Sequence, residues 1–369
     1  MKFSRPLSLL TFTIFALLWL APGLVMAQKK PGGGGTITLN NPAFVYQDGS
    51  SGGLFLTKID GSAKVRLTSA GASQDLAPTW SPDMNPAIAG YQGHIAFFRP
   101  YDTRYIWGDI MAVPSDGSGP PVILRSYVDF YVPPPEMGNG GSESLSWSPD
   151  GSRIIYASEG SIWALSVSTG DVEMIREQGF HPIYAGFVHP CCSPDLRPDQ
   201  PGYQGKIAFT VHGNGPDGGR GADIGMADIN IDPNGDLTTG GWMLATNSRD
   251  WVERQPVWSP DGQFLALSVS PGIEEPLGSG RRIDVMHLAS GISWQVASVL
   301  SDVVRPSWSP DSTLIGFGDA RQVGTKWTTD IFYVDRSGIG PPVNVTRTDS
   351  SRALELCPVW NPAWLNSSP

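Results

Sequence analysis

The sequence predicts an all-β fold, a six-bladed β-propeller of four-stranded blades, closed by pairing of the N- and C-terminal strands. Three observations predict it. A Trp-Ser-Pro-Asp string recurs along the chain. Each copy is followed by the same succession of short apolar strands and Gly-containing turns. The two ends of the chain carry complementary fractions of one repeat. Four-strand units at a period of ~40–50 residues are the signature of propeller blades.

The string occurs intact at Trp80-Ser81-Pro82-Asp83, Trp147-Ser148-Pro149-Asp150, Trp258-Ser259-Pro260-Asp261 and Trp308-Ser309-Pro310-Asp311. A copy without Trp is Cys192-Ser193-Pro194-Asp195, and a degenerate one is Trp360-Asn361-Pro362-Ala363. The six are spaced by 67, 45, 66, 50 and 52 residues. Pro stands two positions before the first motif residue in five of them, at Pro78, Pro190, Pro256, Pro306 and Pro358. After the string come an apolar strand such as Ile154-Ile155-Tyr156 and a second such as Ser161-Ile162-Trp163-Ala164-Leu165. A Gly-containing turn and a third strand follow. Counting the strand that ends in the motif, each unit has four.

Before the first motif lie three strands with no leading partner, Ala43–Tyr46, Leu54–Ile59 and Lys64–Leu67. The strand ending in Trp360 has nothing after it, so it can complete that N-terminal blade. Closure of this kind removes exposed sheet edges.

The motif reads as structural. Pro at the second turn position has the φ of a type I turn, with Asp third and Gly fourth. The Trp offers a large apolar surface for burial between blades. Trp80, Trp147, Trp258, Trp308 and Trp360, with Asp83, Asp150, Asp195, Asp261 and Asp311, are therefore expected to hold the fold rather than to catalyse. Two blades carry parallel insertions in this hairpin, at Asp83–Gly93 and Asp195–Gly205, each without the fourth-position Gly.

Composition agrees. The 369 residues include 44 Gly and 33 Pro, a turn content that disfavours long helices. Thirteen Trp, fourteen Phe and ten Tyr exclude a disordered chain. The net charge of −10 excludes a strongly basic nucleic-acid binder.

Residues 1–27 read as a signal peptide: Lys2 and Arg5, the apolar run Leu7–Leu20, the Pro22-Gly23 break and a Val25-Met26-Ala27 cleavage site. Residues 28–42 then form a Gly-rich linker, 43–365 the propeller and 366–369 a tail. The expected product is periplasmic or secreted, monomeric, and without stable membrane insertion after cleavage. An uncleaved anchor is the alternative. Cys191, Cys192 and Cys357 are expected to stay reduced, because the blade order sets the first two opposite the third.

The repeats and their strand context resemble the TolB-type propeller repeats of bacterial envelope proteins, from about Ala43 to Trp364. The resemblance covers the propeller part alone, without the α/β domain that precedes it in TolB. It implies a protein-binding envelope module whose family works with an envelope lipoprotein and inner-membrane partners. Similar repeats also occur in propeller polysaccharide lyases and exported peptidases.

Other motifs have plainer readings. Gly49-Ser50-Ser51-Gly52-Gly53 matches a nucleophile-elbow string, but it lies between two short strands and reads as a hairpin. Asp228–Asp236 spaces oxygen ligands like a calcium loop but lacks the twelfth-position Glu, so a Pro-Asn-Gly hairpin is favoured. The five histidines show no metal spacing, and neither metal nor cofactor is expected.

One class of positions carries the binding expectation. The inner strand of each blade starts three to five residues before the motif. At minus three stand Ala77, Ser144, His189, Gln255, Arg305 and Cys357. At minus five stand Asp75, Ser142, Phe187, Glu253, Val303 and Glu355. Asp75, His189, Glu253, Gln255, Arg305 and Glu355 are expected around one channel mouth, with Glu253 close to Arg305. Convergent polar groups over a channel are a binding hypothesis. The function this implies is an exported protein–protein binding module with an envelope protein partner, no nucleic acid, and no catalytic role. The alternative is a carbohydrate-active lyase or hydrolase, with His189 as base beside Arg305.

Overall fold

A computed structural model describes residues 39, 41–69, 74–82, 93–101, 107–129, 144–177, 186–212, 222–248, 251–271, 280–300, 305–323, 326–348 and 355–364. The expected signal peptide, most of the linker, the tail and Asp83 lie outside these. Among the described residues there is no helix, and none therefore is long and apolar enough to cross a membrane.

Among the described residues, twenty-four strands form six four-stranded antiparallel sheets. The chain opens with β1 (Phe44–Asp48), β2 (Gly53–Thr57) and β3 (Lys64–Arg66). Blade 2 is β4 (Leu76–Trp80), β5 (His94–Pro100), β6 (Trp107–Pro114) and β7 (Val122–Asp129). Blade 3 is β8 (Leu145–Trp147), β9 (Arg153–Ser158), β10 (Ser161–Ser166) and β11 (Val172–Arg176). Blade 4 is β12 (Gly186–Cys192), β13 (Gln204–His212), β14 (Ala222–Ile231) and β15 (Leu237–Leu244). Blade 5 is β16 (Trp251–Trp258), β17 (Phe264–Pro271), β18 (Arg282–His287) and β19 (Ile292–Ser298). Blade 6 is β20 (Ser307–Trp308), β21 (Leu314–Val323), β22 (Lys326–Asp335) and β23 (Val343–Asn344). The last strand, β24 (Glu355–Trp360), pairs antiparallel with β1, Phe44 against Trp360 and Asp48 against Glu355. It is the inner strand of blade 1, and the ring closes as the end fractions predict.

The turn chemistry follows the sequence. In blade 5 the Gly262 N–H donates to the Ser259 carbonyl at 2.9 Å, closing the turn. The Ser259 hydroxyl donates to Asp261 Oδ1 at 2.5 Å and accepts from the Phe264 N–H at 2.9 Å. Ser148 and Asp150 repeat this in blade 3, and Ser309 and Asp311 in blade 6. Each Ser and Asp bonds within its own turn, and Asp261 Oδ2 also lies 3.6 Å from Arg336 Nη1 of blade 6. Blade 6 has Ser312 where blades 3 and 5 have Gly151 and Gly262, and it takes the same left-handed conformation, φ 59° against 68° and 71°. Its hydroxyl accepts from the Asp261 N–H of blade 5 at 3.1 Å, an inter-blade bond that offsets the strain. The two other strings are also turns. Gly52 N–H donates to the Asp48 carbonyl at 2.8 Å between β1 and β2. Asp232 Oδ1 accepts from the Asn234 and Asp236 N–H groups between β14 and β15.

The apolar core is divided among the seams between blades, not gathered in one centre. Among the described residues six buried clusters occur, each joining two neighbouring blades. Trp308, Ile315 and Phe317 of blade 6 pack on Ala266, Ile283 and Val285 of blade 5, for example. The motif Trp is the anchor. Trp80 Nε1 donates to the Val359 carbonyl at 3.0 Å, Trp147 Nε1 to Thr79 at 3.2 Å and Trp308 Nε1 to Val257 at 2.9 Å. In each case the acceptor is the residue just before the motif in the preceding blade. Where blade 4 has Cys192 instead of Trp, its backbone N–H donates to Ser146 Oγ at 3.0 Å, keeping that seam bonded. At the closing seam, a Cβ on Gly316 would stand 2.5 Å from the Phe44 ring and 2.8 Å from Trp360 Nε1, so only glycine admits both rings.

Candidate functional site: the channel ring

The inner strands converge on a central cavity of about 130 Å³. Every blade contributes the same three positions, minus three, minus two and minus one relative to the motif. The minus-three residues are Ala77, Ser144, His189, Gln255, Arg305 and Cys357, six different side chains at six equivalent places.

Five of the six are left-handed. Ala77, His189 and Gln255 have φ of 52°, 52° and 53°, Arg305 38° and Cys357 53°. Each precedes a Pro. Pro removes a ladder donor, and inside a strand it is tolerated only at an edge or a bulge. The ladders show bulges at four of these sites, between Leu76 and Thr79, Val188 and Cys191, Arg254 and Val257, and opposite Val45/Gln47 for Cys357-Pro358. A residue before Pro favours extended backbone, and left-handed backbone costs a side-chain-bearing residue about 1–2 kcal/mol. Only Ser144, which has no following Pro, lacks this conformation.

The same bulge divides the six residues expected at one mouth. His189, Gln255 and Arg305 line the cavity. Asp75, Glu253 and Glu355 are buried elsewhere. The register explains why. Trp258 faces Leu265 and Glu253 faces Val269, partners four apart and so on one face of the sheet. In blade 1, Trp360 and Glu355 face Phe44 and Asp48, again four apart. The extra residue of a bulge reverses the alternation beyond it. The minus-five acids therefore turn with the Trp into the seams. Asp75 is held by both Arg99 Nε, at 2.6 Å, and Arg99 Nη2, at 2.8 Å, and by the Thr68 hydroxyl of blade 1. Glu355 accepts from Lys64 Nζ at 2.8 Å and Tyr46 OH at 3.4 Å. Glu253, 8% exposed, accepts from Ser248 Oγ at 2.9 Å. Burial pushes its carboxyl up to about 7, with Asp223 and Asp284 adding to the rise and Ser248 opposing it.

The polar residues of the ring are connected. Thr210 Oγ1 lies 3.2 Å from His189 Nδ1 and accepts from the Gln255 N–H at 3.1 Å. Gln255 Oε1 in turn accepts from the Arg305 N–H of the next blade at 3.1 Å. A polar arc thus runs over blades 4, 5 and 6, while Ala77 and Ser144 leave the facing side small. Sequence reasoning passed over the minus-one positions, among them Cys191 and Ser307. The Pro at minus two was the available signal, because it implies the bulge that brings minus one to the channel. All three cysteines are free thiols, and burial raises those of Cys191 and Cys192.

No family model matches the chain, and no curated protein matches it. Among solved structures it is similar to TolB from Acinetobacter baumannii, at 18% identity and a TM-score of 0.56, over 86% of this chain and 65% of that one. It therefore spans just under two thirds of that relative's length. It is also similar to a putative TolB from Agrobacterium tumefaciens, at 14% identity and a TM-score of 0.50, over 88% of this chain and 100% of that one. At these identities the likeness extends to the fold, a TolB-like six-bladed propeller.

Proposed function

We propose that this protein is an exported cell-envelope propeller that binds a protein partner at its channel, without catalysis, metal or cofactor. The observation that carries the reading is the ring itself. Glycine would satisfy a left-handed bulge at the least steric cost, yet five equivalent positions keep Ala, His, Gln, Arg and Cys. Strain retained at a lined cavity is a mark of a functional surface. Export is the companion proposal, from the signal-like residues 1–27, and it would place the mature chain in the periplasm or outside the cell. The folded chain acts as a monomer with an envelope protein as partner, as in the TolB-like reading.

The test is capture of cross-linked partners from an envelope extract by the wild type and by Gln255→Ala/Arg305→Ala. Loss of one discrete partner in the variant supports the reading. Equal capture by both moves the site off the ring. A second reading has one observation in its favour: His189 and Arg305, the acid–base and cation pair of a sugar-acid lyase, line the same cavity. Cleavage of acidic oligosaccharides by the wild type and not by His189→Ala would replace the binding reading with that one.

A further inference from the structure

Where β5 turns into β6, blade 2 gathers aromatic side chains in solvent. Tyr101 and Trp107 are each 47% exposed, and Tyr127 is 76% exposed. Strand register brings them together. Pro100 pairs with Gly108, and the Tyr101 N–H donates to the Trp107 carbonyl at 2.8 Å, so Tyr101 and Trp107 stand opposite one another. Trp107 in turn pairs with Asp129 of β7. Side chains alternate along a strand, so Asp109 and Tyr127 share that face. The other face, with Ile110 and Val128, packs against blade 3.

The aromatic groups are fixed in place by the fold. β7 is bulged between Arg125, which pairs with Ile110, and Val128, which pairs with Gly108. Tyr127 in that bulge is left-handed, φ 58°. Its N–H donates to the Tyr101 hydroxyl at 3.0 Å, and that hydroxyl donates to Asp109 Oδ1 at 2.5 Å. The two tyrosine rings lie 5.3 Å apart, edge to face at 64°. Glycine would take this backbone at lower steric cost, yet a largely exposed tyrosine is kept. Two ring faces near a right angle form a corner, and ring faces attract cations. A compact ammonium can touch both faces at once, whereas a planar guanidinium stacks on one.

The charge around the corner is complementary to such a group. Asp109 and Asp129 lie on its face of the sheet. The Ser158 hydroxyl donates to the Asp129 carbonyl at 2.5 Å, which sets the blade 3 turn bearing Glu159 alongside. Burial and the Glu159 charge push the Asp129 carboxyl up. Among the described residues none of these three acids forms a salt bridge. The net charge of −10 also attracts a basic partner at long range.

We propose that this corner of blade 2 is a second contact for the bound partner, receiving a lysine side chain whose ammonium rests on the faces of Tyr101 and Tyr127, with Trp107, Asp109 and Asp129 around it. The proposal rests on the protein-binding reading above and adds a basic residue to what the partner must carry. None of these residues lines the channel.

The test is calorimetric titration of the full chain with a blocked Gly-Lys-Gly-Lys-Gly peptide and with its Gln and Arg counterparts. The Lys peptide should bind about fivefold or more tighter than the Gln peptide. Tyr127→Gly should lose that margin while the melting temperature stays unchanged or rises, because glycine suits the left-handed bulge. Tyr127→Phe keeps the ring face and should keep the margin. Asp129→Asn should weaken binding several-fold. Equal binding of the Lys and Gln peptides, full binding by Tyr127→Gly, or no binding of the Lys peptide at about 5 mM would overturn the site. Tighter binding of the Arg peptide, or of spermidine, would overturn the lysine commitment. The two readings fail separately. An envelope partner lost on Gln255→Ala/Arg305→Ala but captured equally by wild type and Tyr127→Gly leaves the binding reading standing and removes the lysine site. Lys-peptide binding that is lost on Tyr127→Gly, with no envelope partner captured at the ring, does the reverse.

Discussion

Replacing Glu253 by Gln should flatten the dependence of stability on pH. The carboxyl is buried at the seam of blades 4 and 5, with Asp223, Asp284 and Ser248 against it and Arg282 bound to Asp284. Burial and the two neighbouring acids raise it from 4.5 to about 7 in the folded protein. In the unfolded chain it loses its proton near its ordinary value; in the folded chain it keeps the proton until about 7. Stability contributed by the protonated form is therefore full below the unfolded value and is lost as pH rises through the folded one. The shift of roughly 2.5 units corresponds to a ceiling of about 3 kcal/mol at 1.36 kcal/mol per unit. Residual solvation brings the expected loss to about 1–3 kcal/mol between about pH 5 and about pH 8. Gln keeps the shape and the bond to Ser248 without the charge. The assay is urea unfolding of both proteins at the two pH values. Asp284 is raised as well and interacts with Glu253, so the difference between the curves reads Glu253 together with its coupling to that neighbour. The Glu253→Gln variant should match the wild type near pH 5 and exceed it near pH 8. Parallel curves would refute the burial argument.

Three further predictions concern the frame. Trp308→Phe should cost about 0.5–1.5 kcal/mol more than Trp258→Phe, because Trp308 Nε1 donates to Val257 while Trp258 Nε1 has no acceptor; equal losses in chemical denaturation would remove the seam bond from the account. Asp75→Asn leaves Arg99 half-buried without its counter-ion and should destabilise by about 3–5 kcal/mol, a lowering of the denaturation midpoint that Arg99→Met in the same chain should partly reverse; no reversal would show that the pair is not what is lost. Deleting residues 353–369 removes β24 and exposes the β1 edge, so a single sharp melting transition should give way to a broad one at lower temperature, and an unchanged melt would refute the blade assignment.

The repeat determined blade number, strand count and ring closure by itself. These depend on local signals: a Pro-Asp-Gly turn, an apolar strand of fixed length and a Trp at each period. The roles of Ser148, Asp150, Ser259 and Asp261 were legible for the same reason, since each bonds within five residues of itself. The ring at minus three was legible as a position class, because equivalent residues in a repeat occupy equivalent places. Its left-handed backbone was not, since a Pro at minus two implies a bulge without fixing which residue bears the positive φ. The direction of Asp75, Glu253 and Glu355 was decided by tertiary structure alone. One extra residue in a bulge reverses side-chain alternation, and only cross-strand register reveals on which side of it a position falls. The raised carboxyl of Glu253 likewise depends on Asp223, which comes from the neighbouring blade, and on Asp284 two strands away. Contacts within a repeat are written in the repeat; those across a seam or across the channel form only once all six blades are in place.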